Sequence, residues 1–497
     1  MLKIYNSLAR EKQEFIPLNP PNVSFYSCGP TVYGEFHVGN ARTFVAGDVI
    51  RRWLLASGYA VRYVQNITDV DDKIINRAKA EGVQPEDIAL KYTDYFFEKL
   101  KQLGNLPADA HPRATQYIGP MISMIRKLEQ KGCAYATEDG SVWFSVASFP
   151  EYGKLSRRPL DQMQQGERGD AAIAAQKKSP LDFGLWKAVK PGEPAWASPW
   201  GKGRPGWHIE CSCMAMKTFD AETIDLHAGG ADLLFPHHEN EIAQSEALTG
   251  KQFARYWAHS GMLDMDGEKM SKSLGNIKTI DDVLGIIDPL TLRYFLMSAR
   301  YRDKIDFTDD NLHKCQSAME RTLTAAREAK RTLGGKFAGE DFSAHDELKK
   351  LWEEFAEGMD DDFNTPRALA ALAKTTTLLN TARLEAEKNG EMLFIAAALT
   401  LLTKMRDTLG LGEALERSVQ DVDAATADGL RALITECGGV ANGAGTGDEL
   451  MAEVIRLRAE SRKAKNFAVA DKIRGRLTEL KIALEDKADG TVWKISR

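Results

Sequence analysis

Residues 23–67, VSFYSCGPTVYGEFHVGNARTFVAGDVIRRWLLASGYAVRYVQNI, decide the fold class. VSFYSC is a short apolar run, TFVAGDVIRRWLLASG carries apolar residues at helical spacing, and AVRYVQNI returns to an apolar strand pattern. Helical periodicity then continues to about Gly104. The order β-α-β-α predicts a parallel sheet with helices packed on it.

The stretch 133–201 interrupts this rhythm with a hairpin-like VWFSV, several prolines and the polar GERGDAAIAAQKKS, and it reads as an insertion. The α/β pattern resumes with WHIECSCMAMKTF, TIDLHAGG and a helix from His237 to about Leu248, so residues 1–132 and 202–257 are expected to be two halves of one α/β domain. A loop-rich junction, 258–310, leads to a helical bundle over 311–437. After the Gly-rich GGVANGAGTG, residues 448–497 read as two helices and a terminal hairpin. The expected architecture is therefore α/β: a Rossmann-like parallel-sheet domain with an insertion, then a bundle, then a small α+β module.

The chain has 497 residues, with 65 Lys and Arg against 71 Asp and Glu, so it is not a polycation that coats nucleic acid. Any RNA contact is local. Arg456, Arg458, Arg462, Lys463, Lys465, Lys472, Arg474, Arg476 and Lys481 make the last module its basic part, and Trp493 beside them suits stacking on an unpaired base. Solvated helix faces explain the same charges equally well. Six scattered cysteines are too few for a disulfide framework and suit a reducing compartment. The N-terminus is charged where a signal peptide is apolar, and no run approaches the ~18 apolar residues of a membrane span. A cytoplasmic protein is expected, with neither membrane nor DNA as partner.

Two strings carry chemistry. His37-Val38-Gly39-Asn40 lies at a strand-to-helix turn, where free backbone N–H groups favour a phosphate and Gly39 permits close approach. Lys269-Met270-Ser271-Lys272-Ser273 puts two lysines and two hydroxyls on a loop flanked by Gly267 and Gly275, suited to gripping a leaving pyrophosphate. His237 and Glu241 share one helix face and, with Cys28 and Cys211, form a donor set plausible for Zn²⁺. For any one of these four taken alone, a buried free thiol or a capping histidine is the better reading. Gly201, Gly203 and Gly206 satisfy GxGxxG, but Pro205 and the absence of a preceding strand argue against a dinucleotide site. HHENE does not form HExxH, and there is no P-loop.

The HxGN and KMSKS pair resembles the signatures of class I aminoacyl-tRNA synthetases. CGPTVYG (28–34), GRPGWHIECS (203–212), FPHHENEIAQS (235–245) and DDDFNTP (360–366) are similar to the cysteinyl-tRNA synthetase family, end to end. The resemblance implies Zn²⁺, one per chain, on Cys28, Cys211, His237 and Glu241, with Cys213 and His238 left out. It implies catalytic roles for His37, Lys269 and Lys272, and ATP contacts from His37, Gly39, Asn40, Gly229, Gly230, Asp232 and Lys272, with Mg²⁺ accompanying ATP. Gly29, Thr68 and Trp207 are expected to line a cysteine pocket. L-cysteine, ATP and tRNA(Cys) are the expected partners, with metal coordination choosing cysteine over serine because the insertion is too short for an editing domain. Asn40 stands where the signature often has His. Two rivals stand beside this reading: a ligase joining cysteine to a small amine, of the mycothiol-pathway type, which would keep every active-site motif, and a non-catalytic tRNA-binding relative, which needs none of them. The module over 448–497 disfavours the first, and the intact motifs disfavour the second.

Overall fold

The computed structural model describes residues 1–158, 176–269, 277–334, 339–389, 392–412, 424–440, 447–487 and 490–495. Lys272, most of GERGDAAIAAQKKS and the centre of GGVANGAGTG lie outside them. A hairpin of β1 (Lys3–Asn6) and β2 (Glu11–Glu14) precedes β3 (Asn22–Ser27), α1 (Val38–Ala56) and β4 (Ala60–Gln65), the unit predicted from 23–67. Helices α2 (Asp72–Glu81), α3 (Pro85–Gln102) and α4 (Ile118–Gln130) follow. The insertion is an antiparallel sheet of β5 (Ala134–Ala136), β6 (Val142–Phe144), β7 (Phe183–Ala188) and β8 (Gly203–Pro205), with its own core around Phe144, Phe183 and Trp186. Then come α5 (Trp207–Phe219), β9 (Ile224–Gly230), α6 (Glu239–Thr249) and β10 (Ala254–Ser260).

The central sheet has the order β10-β9-β3-β4 and is parallel throughout. From β3 the chain winds to β4 on one side, and from β9 it winds to β10 on the other. The carboxyl ends of β3 and β9 are thus the point where strand order reverses, and there a crevice opens that ligands occupy in such sheets. The two strands are registered by Tyr26 opposite His227 and by Cys28 N–H donating to Ala228 O at 3.0 Å. Phe25, Leu226 and Leu54 are fully buried under this crevice, each contributing on the order of 2 kcal/mol.

The junction is more regular than its sequence suggests. It holds β11 (Leu263–Met265), β12 (Glu268–Lys269), α7 (Ile280–Leu284), α8 (Pro289–Leu296) and β13 (Ile305–Phe307). Its short helices are made by their caps: Thr279 accepts from Asp282 N–H, and Asp288 accepts from Thr291 N–H ahead of Pro289. The bundle comprises α9 (Asp309–Thr332), α10 (Asp346–Asp360), α11 (Thr365–Asn389) and α12 (Met392–Thr408), and its Phe355 and Leu401 share one core with Phe25. Arg293 on α8 is wholly buried, donating to Asp48 on α1, to Asn105 Oδ1 at 3.1 Å and to Leu409 O at 2.9 Å.

Helix α13 (Ala424–Glu436), which the sequence reading placed in the bundle, belongs to the last module's core. Its Leu430, Leu433 and Ile434 are buried against Met451 and Val454 of α14 (Gly447–Lys463) and Ile473 of α15 (Phe467–Glu479). A hairpin of β14 (Ile482–Lys487) and β15 (Gly490–Ile495) completes this module. Among the described residues no helix is long and apolar enough to cross a membrane.

Candidate active site and metal centre

A cavity of about 240 Å³ lies at the strand-order reversal. Of the residues singled out from sequence, Cys28, Gly29, His37, Asn40, Thr68, Trp207, Cys211, Gly230, Asp232 and His237 line it. Glu241, Gly39 and Gly229 are not among its lining residues. Gly39 lies within the first turn of α1, and Gly229 is small because a Cβ there would come within 2.7 Å of the His238 ring.

At one end of the cavity, α1 begins with a reciprocal cap. Asn40 N–H donates to His37 Nδ1 at 3.2 Å, and His37 N–H donates to Asn40 Oδ1 at 3.3 Å. Asn40 is accordingly part of the helix cap, and a neutral His37 carries its proton on Nε2. His37 also pairs across a backbone bridge with Thr279, with Val38 N–H donating to Lys278 O and Ile280 N–H to Phe36 O. Lys269 ends β12 at one side of the 270–276 segment, and this bridge lies at the other. The structure thus holds the HVGN turn against the chain that leaves the KMSKS string.

At the other end, donor atoms of Cys28, Cys211, His237 and Glu241 all lie within 4.8 Å of one another. The two sulfurs are 3.7 Å apart, the edge expected for thiolates ~2.3 Å from one tetrahedral ion. Glu241 Oε1 is 3.6 Å from Cys28 Sγ and 3.1 Å from His237 Nε2. All four residues are buried, so two thiols and a carboxyl converge where water cannot solvate their charges. Burial, then the hydrogen bond and charge of Cys211, push the Cys28 thiol well up. The hydrogen bond from Cys28 brings Cys211 down to about 6 against the effect of burial. Burial opposes protonation of His237, but Cys211 and Glu241 outweigh it and raise its pKa. A dication relieves all of these conflicts at once, and the donor set fits one.

A second grouping, Cys28, His227, His238 and Glu241, is equally compact. Only Cys28 of this grouping lines the cavity, whereas Cys28, Cys211 and His237 of the first all do. Its histidines serve better as outer partners. His227 Nε2 is 2.9 Å from Glu241 Oε2 and directs Oε1 inward. His238 Nε2 is 3.3 Å from Cys28 Sγ, and its Nδ1 is 2.8 Å from His259 Nε2, whose Nδ1 meets Ser7 Oγ at 2.8 Å. Burial takes His259 down to about 3, so its ring is neutral. His208 is also held well below its ordinary pKa by burial and by His237; its Nδ1 lies 2.9 Å from His237 Nδ1, and the tautomer with the proton on His237 Nδ1 leaves the His237 Nε2 lone pair for the centre.

These outer histidines escaped the sequence reading. HAGG, HSGM and PHHEN were visible, but nothing in their spacing joins them. Cys213, expected to stand outside the donor set, packs in the insertion's core, where burial pushes its thiol up to about 12.

Trp207 stacks on His237 at 4.2 Å between ring centroids and walls the pocket. Thr68 donates to the buried Glu210, whose carboxyl is pushed well up by burial and by Cys211. The insertion is anchored to α6, which carries Glu241. Buried Glu239 accepts backbone N–H bonds from Gly153, Leu155 and Ser156 at 3.0, 3.3 and 2.7 Å.

In the last module, Trp493 on β15 is half-buried against the core, opposite Leu484. The exposed aromatic there is Phe467, at 61% exposure, next to Lys463 and Lys465. Arg456, Arg458, Arg462, Lys472 and Arg476 are engaged by carboxylates of the same module.

Residues 14–317 match the family described as tRNA synthetases class I (C) catalytic domain, and residues 354–413 match the DALR domain. The chain is 44% identical to a cysteine–tRNA ligase of Symbiobacterium thermophilum and 42% identical to one of Thermococcus onnurineus, covering 99% of each chain in both pairs. The fold is similar to Mycobacterium tuberculosis methionyl-tRNA synthetase in complex with methionyl-adenylate, with a TM-score of 0.55 and 16% identity over 80% of this chain and 91% of that one. It is also similar to the LeuRS–tRNA–LeuAMS ternary complex of Agrobacterium radiobacter K84, with a TM-score of 0.61 and 12% identity over 81% and 85%. With one catalytic-domain family spanning most of the chain and these full-length relatives beside it, the chain belongs to the cysteine–tRNA ligases, the cysteinyl branch of the class I aminoacyl-tRNA synthetases.

Proposed function

We propose that this enzyme activates L-cysteine with ATP at the cavity on the β3–β9 crevice and transfers it to the 2′-hydroxyl of the terminal adenosine of tRNA(Cys). The carrying observation is that one cavity is lined both by Cys28, Cys211 and His237 and by His37, Gly230 and Asp232. Cys28, Cys211, His237 and Glu241 would hold Zn²⁺, which supplies a soft acceptor that takes a thiolate and gains little from serine's hydroxyl. Trp207, Gly29 and Thr68 enclose the rest of the amino acid. Gly229, Gly230 and Asp232 form the adenosine side.

Attack of the cysteine carboxylate on the α-phosphate puts charge on the phosphate oxygens. The His37 Nε2–H and the start of α1 stabilise it by position alone. Lys269 and Lys272 hold the departing pyrophosphate with Mg²⁺. Residues 1–132 and 202–257 are the catalytic domain, 133–201 the connective insertion, 258–310 the stem-contact region, 311–412 the tRNA-binding bundle and 424–497, with α13, the anticodon module. In that module Phe467, exposed beside Lys463 and Lys465, suits base stacking better than Trp493. The cytoplasm suits the six free thiols.

The test is charging of total tRNA with labelled cysteine and, separately, serine, with zinc measured by atomic absorption. Cysteine-only charging with one zinc per chain supports the reading. Cysteine-dependent pyrophosphate exchange without charged tRNA would instead identify the small-amine ligase.

A further inference from the structure

A hydrogen-bonded line crosses the wall of the cysteine pocket from Gly29 to Glu210. It begins where Gly29 N–H donates to Asn66 Oδ1 at 2.9 Å. A backbone N–H can only donate, so this contact fixes the Asn66 amide with its NH₂ facing away from Gly29. Asn66 Nδ2 then donates to Thr68 Oγ1 at 3.4 Å, and Thr68 Oγ1 donates its single proton to Glu210 Oε2 at 3.0 Å. Asn66, Thr68 and Glu210 are 1%, 2% and 1% exposed. The line joins the loop after β3, the loop after β4 and helix α5, and it is kept short because a Cβ on Gly29 would fall 1.7 Å from Asn66 O.

A hydroxyl has one proton and two lone pairs. Inside the wall Thr68 uses its proton and one lone pair, and Glu210 Oε2 accepts that proton whether the carboxyl is ionised or carries its own proton on Oε1, so what remains for the cavity is a lone pair. Towards the substrate, Thr68 is an acceptor only.

We propose that Glu210, acting through Thr68, positions the acceptor that receives the α-ammonium group of the substrate. This rests on the reading that cysteine enters with its sulfur towards Cys28 and Cys211. The α-carbon then carries two polar groups at equal distance from sulfur, an ammonium that only donates and a carboxylate that only accepts. A freely rotating hydroxyl would serve either one. With its proton held by Glu210, Thr68 takes the ammonium and repels the carboxylate, which is left to face the nucleotide end where it reacts. Glu210 does not touch the substrate; it is a positioning residue that selects amino acids from other thiol acids.

The experiment uses the full chain in its metal-loaded form. The KM and kcat of cysteine-dependent pyrophosphate exchange are measured beside the inhibition constant of 3-mercaptopropionate, which is cysteine without its ammonium. Glu210→Leu and Thr68→Val should each raise the KM for cysteine about 10- to 100-fold. The inhibition constant of 3-mercaptopropionate and the zinc content should not move. Glu210→Gln, which keeps a carbonyl oxygen for the Thr68 proton, should recover most of the loss. The double variant should be no worse than either single one, because both remove the same contact. Equal weakening of both ligands, or an unchanged cysteine KM in Thr68→Val, overturns the proposal. If Glu210→Leu loses its zinc, Thr68→Val alone decides. Absence of cysteine-dependent exchange in the wild type would instead defeat the functional reading, and that is seen before any variant is compared.

Discussion

The interior of the catalytic half and the surface of the C-terminal module are both rich in charged side chains, but these groups work under opposite conditions. Around the cavity, Cys28, Cys211, His237, Glu241 and their outer histidines are buried, and each proton position is tied to a neighbour. In the module, Asp486 accepts from Arg458 and Arg462 at the surface, where water competes for every contact. A charge acts strongly where solvent is excluded and weakly where it is not. The module's function therefore has to come from what its surface offers a partner, and the cavity's from what its interior forces on a ligand.

The sharpest way to break this contrast is Cys211→Ala. It removes a thiolate from a buried donor set and leaves the other donors without their counter-ion, a loss of about 3–5 kcal/mol or roughly 10²–10⁴-fold in pyrophosphate exchange. Zinc content should fall in parallel.

Asp48→Asn extends the comparison to a buried pair away from the chemistry. Burial works against the Asp48 carboxylate, but Arg293 and Arg52 hold its pKa below the ordinary range, while burial lowers Arg293 in spite of Asp48. Losing one partner of such a pair costs about 3–5 kcal/mol, even though the intact pair has little net worth. Because the folded pKa of Asp48 is depressed, its stabilisation is present above the unfolded value of about 3.9 and is lost as pH falls through the folded value. Urea titrations should show the wild type losing stability below about pH 4 more steeply than Asp48→Asn.

On the exposed side, Phe467→Ala should raise the KM for tRNA about 10-fold, as expected from ~1–3 kcal/mol of base stacking. Its signature is a tRNA-charging defect larger than any change in pyrophosphate exchange. Trp493→Ala should mainly loosen the module, seen as lost protection from proteolysis. Smallest of all, Asp486→Ala should cost no more than about 1 kcal/mol in thermal unfolding, since its pairs are solvated.

The same contrast accounts for what could be read from the sequence. The β-α-β order, the helix start at HVGN and the fourfold spacing of His237 and Glu241 are local patterns, and they stand in the structure where periodicity put them. Cys28 and Cys211 meet only because β3 and α5 converge across the insertion, so it was resemblance and not spacing that joined them. The outer histidines come from α5, β9, the turn before α6 and β10, and no local signal links such positions. Asn40 was legible as a departure from a signature, but its role as a helix cap needed the reciprocal bonds with His37. Helix α13 was assigned to the wrong unit because amphipathic patterning says that a face is buried but not against what, and Trp493, read as a stacking residue from its basic neighbours, is half-buried against that same core.

Glu239 gives the insertion a significance for how such enzymes are remodelled. Its carboxylate is solvated by three backbone N–H groups that the insertion alone provides. Deleting or swapping 133–201 as a cassette would strand a charge two residues from Glu241, and the fold would fail at α6 before the missing sheet was felt. Any lineage or designer that trims this insertion has to neutralise Glu239 in the same step, so the two are expected to change together.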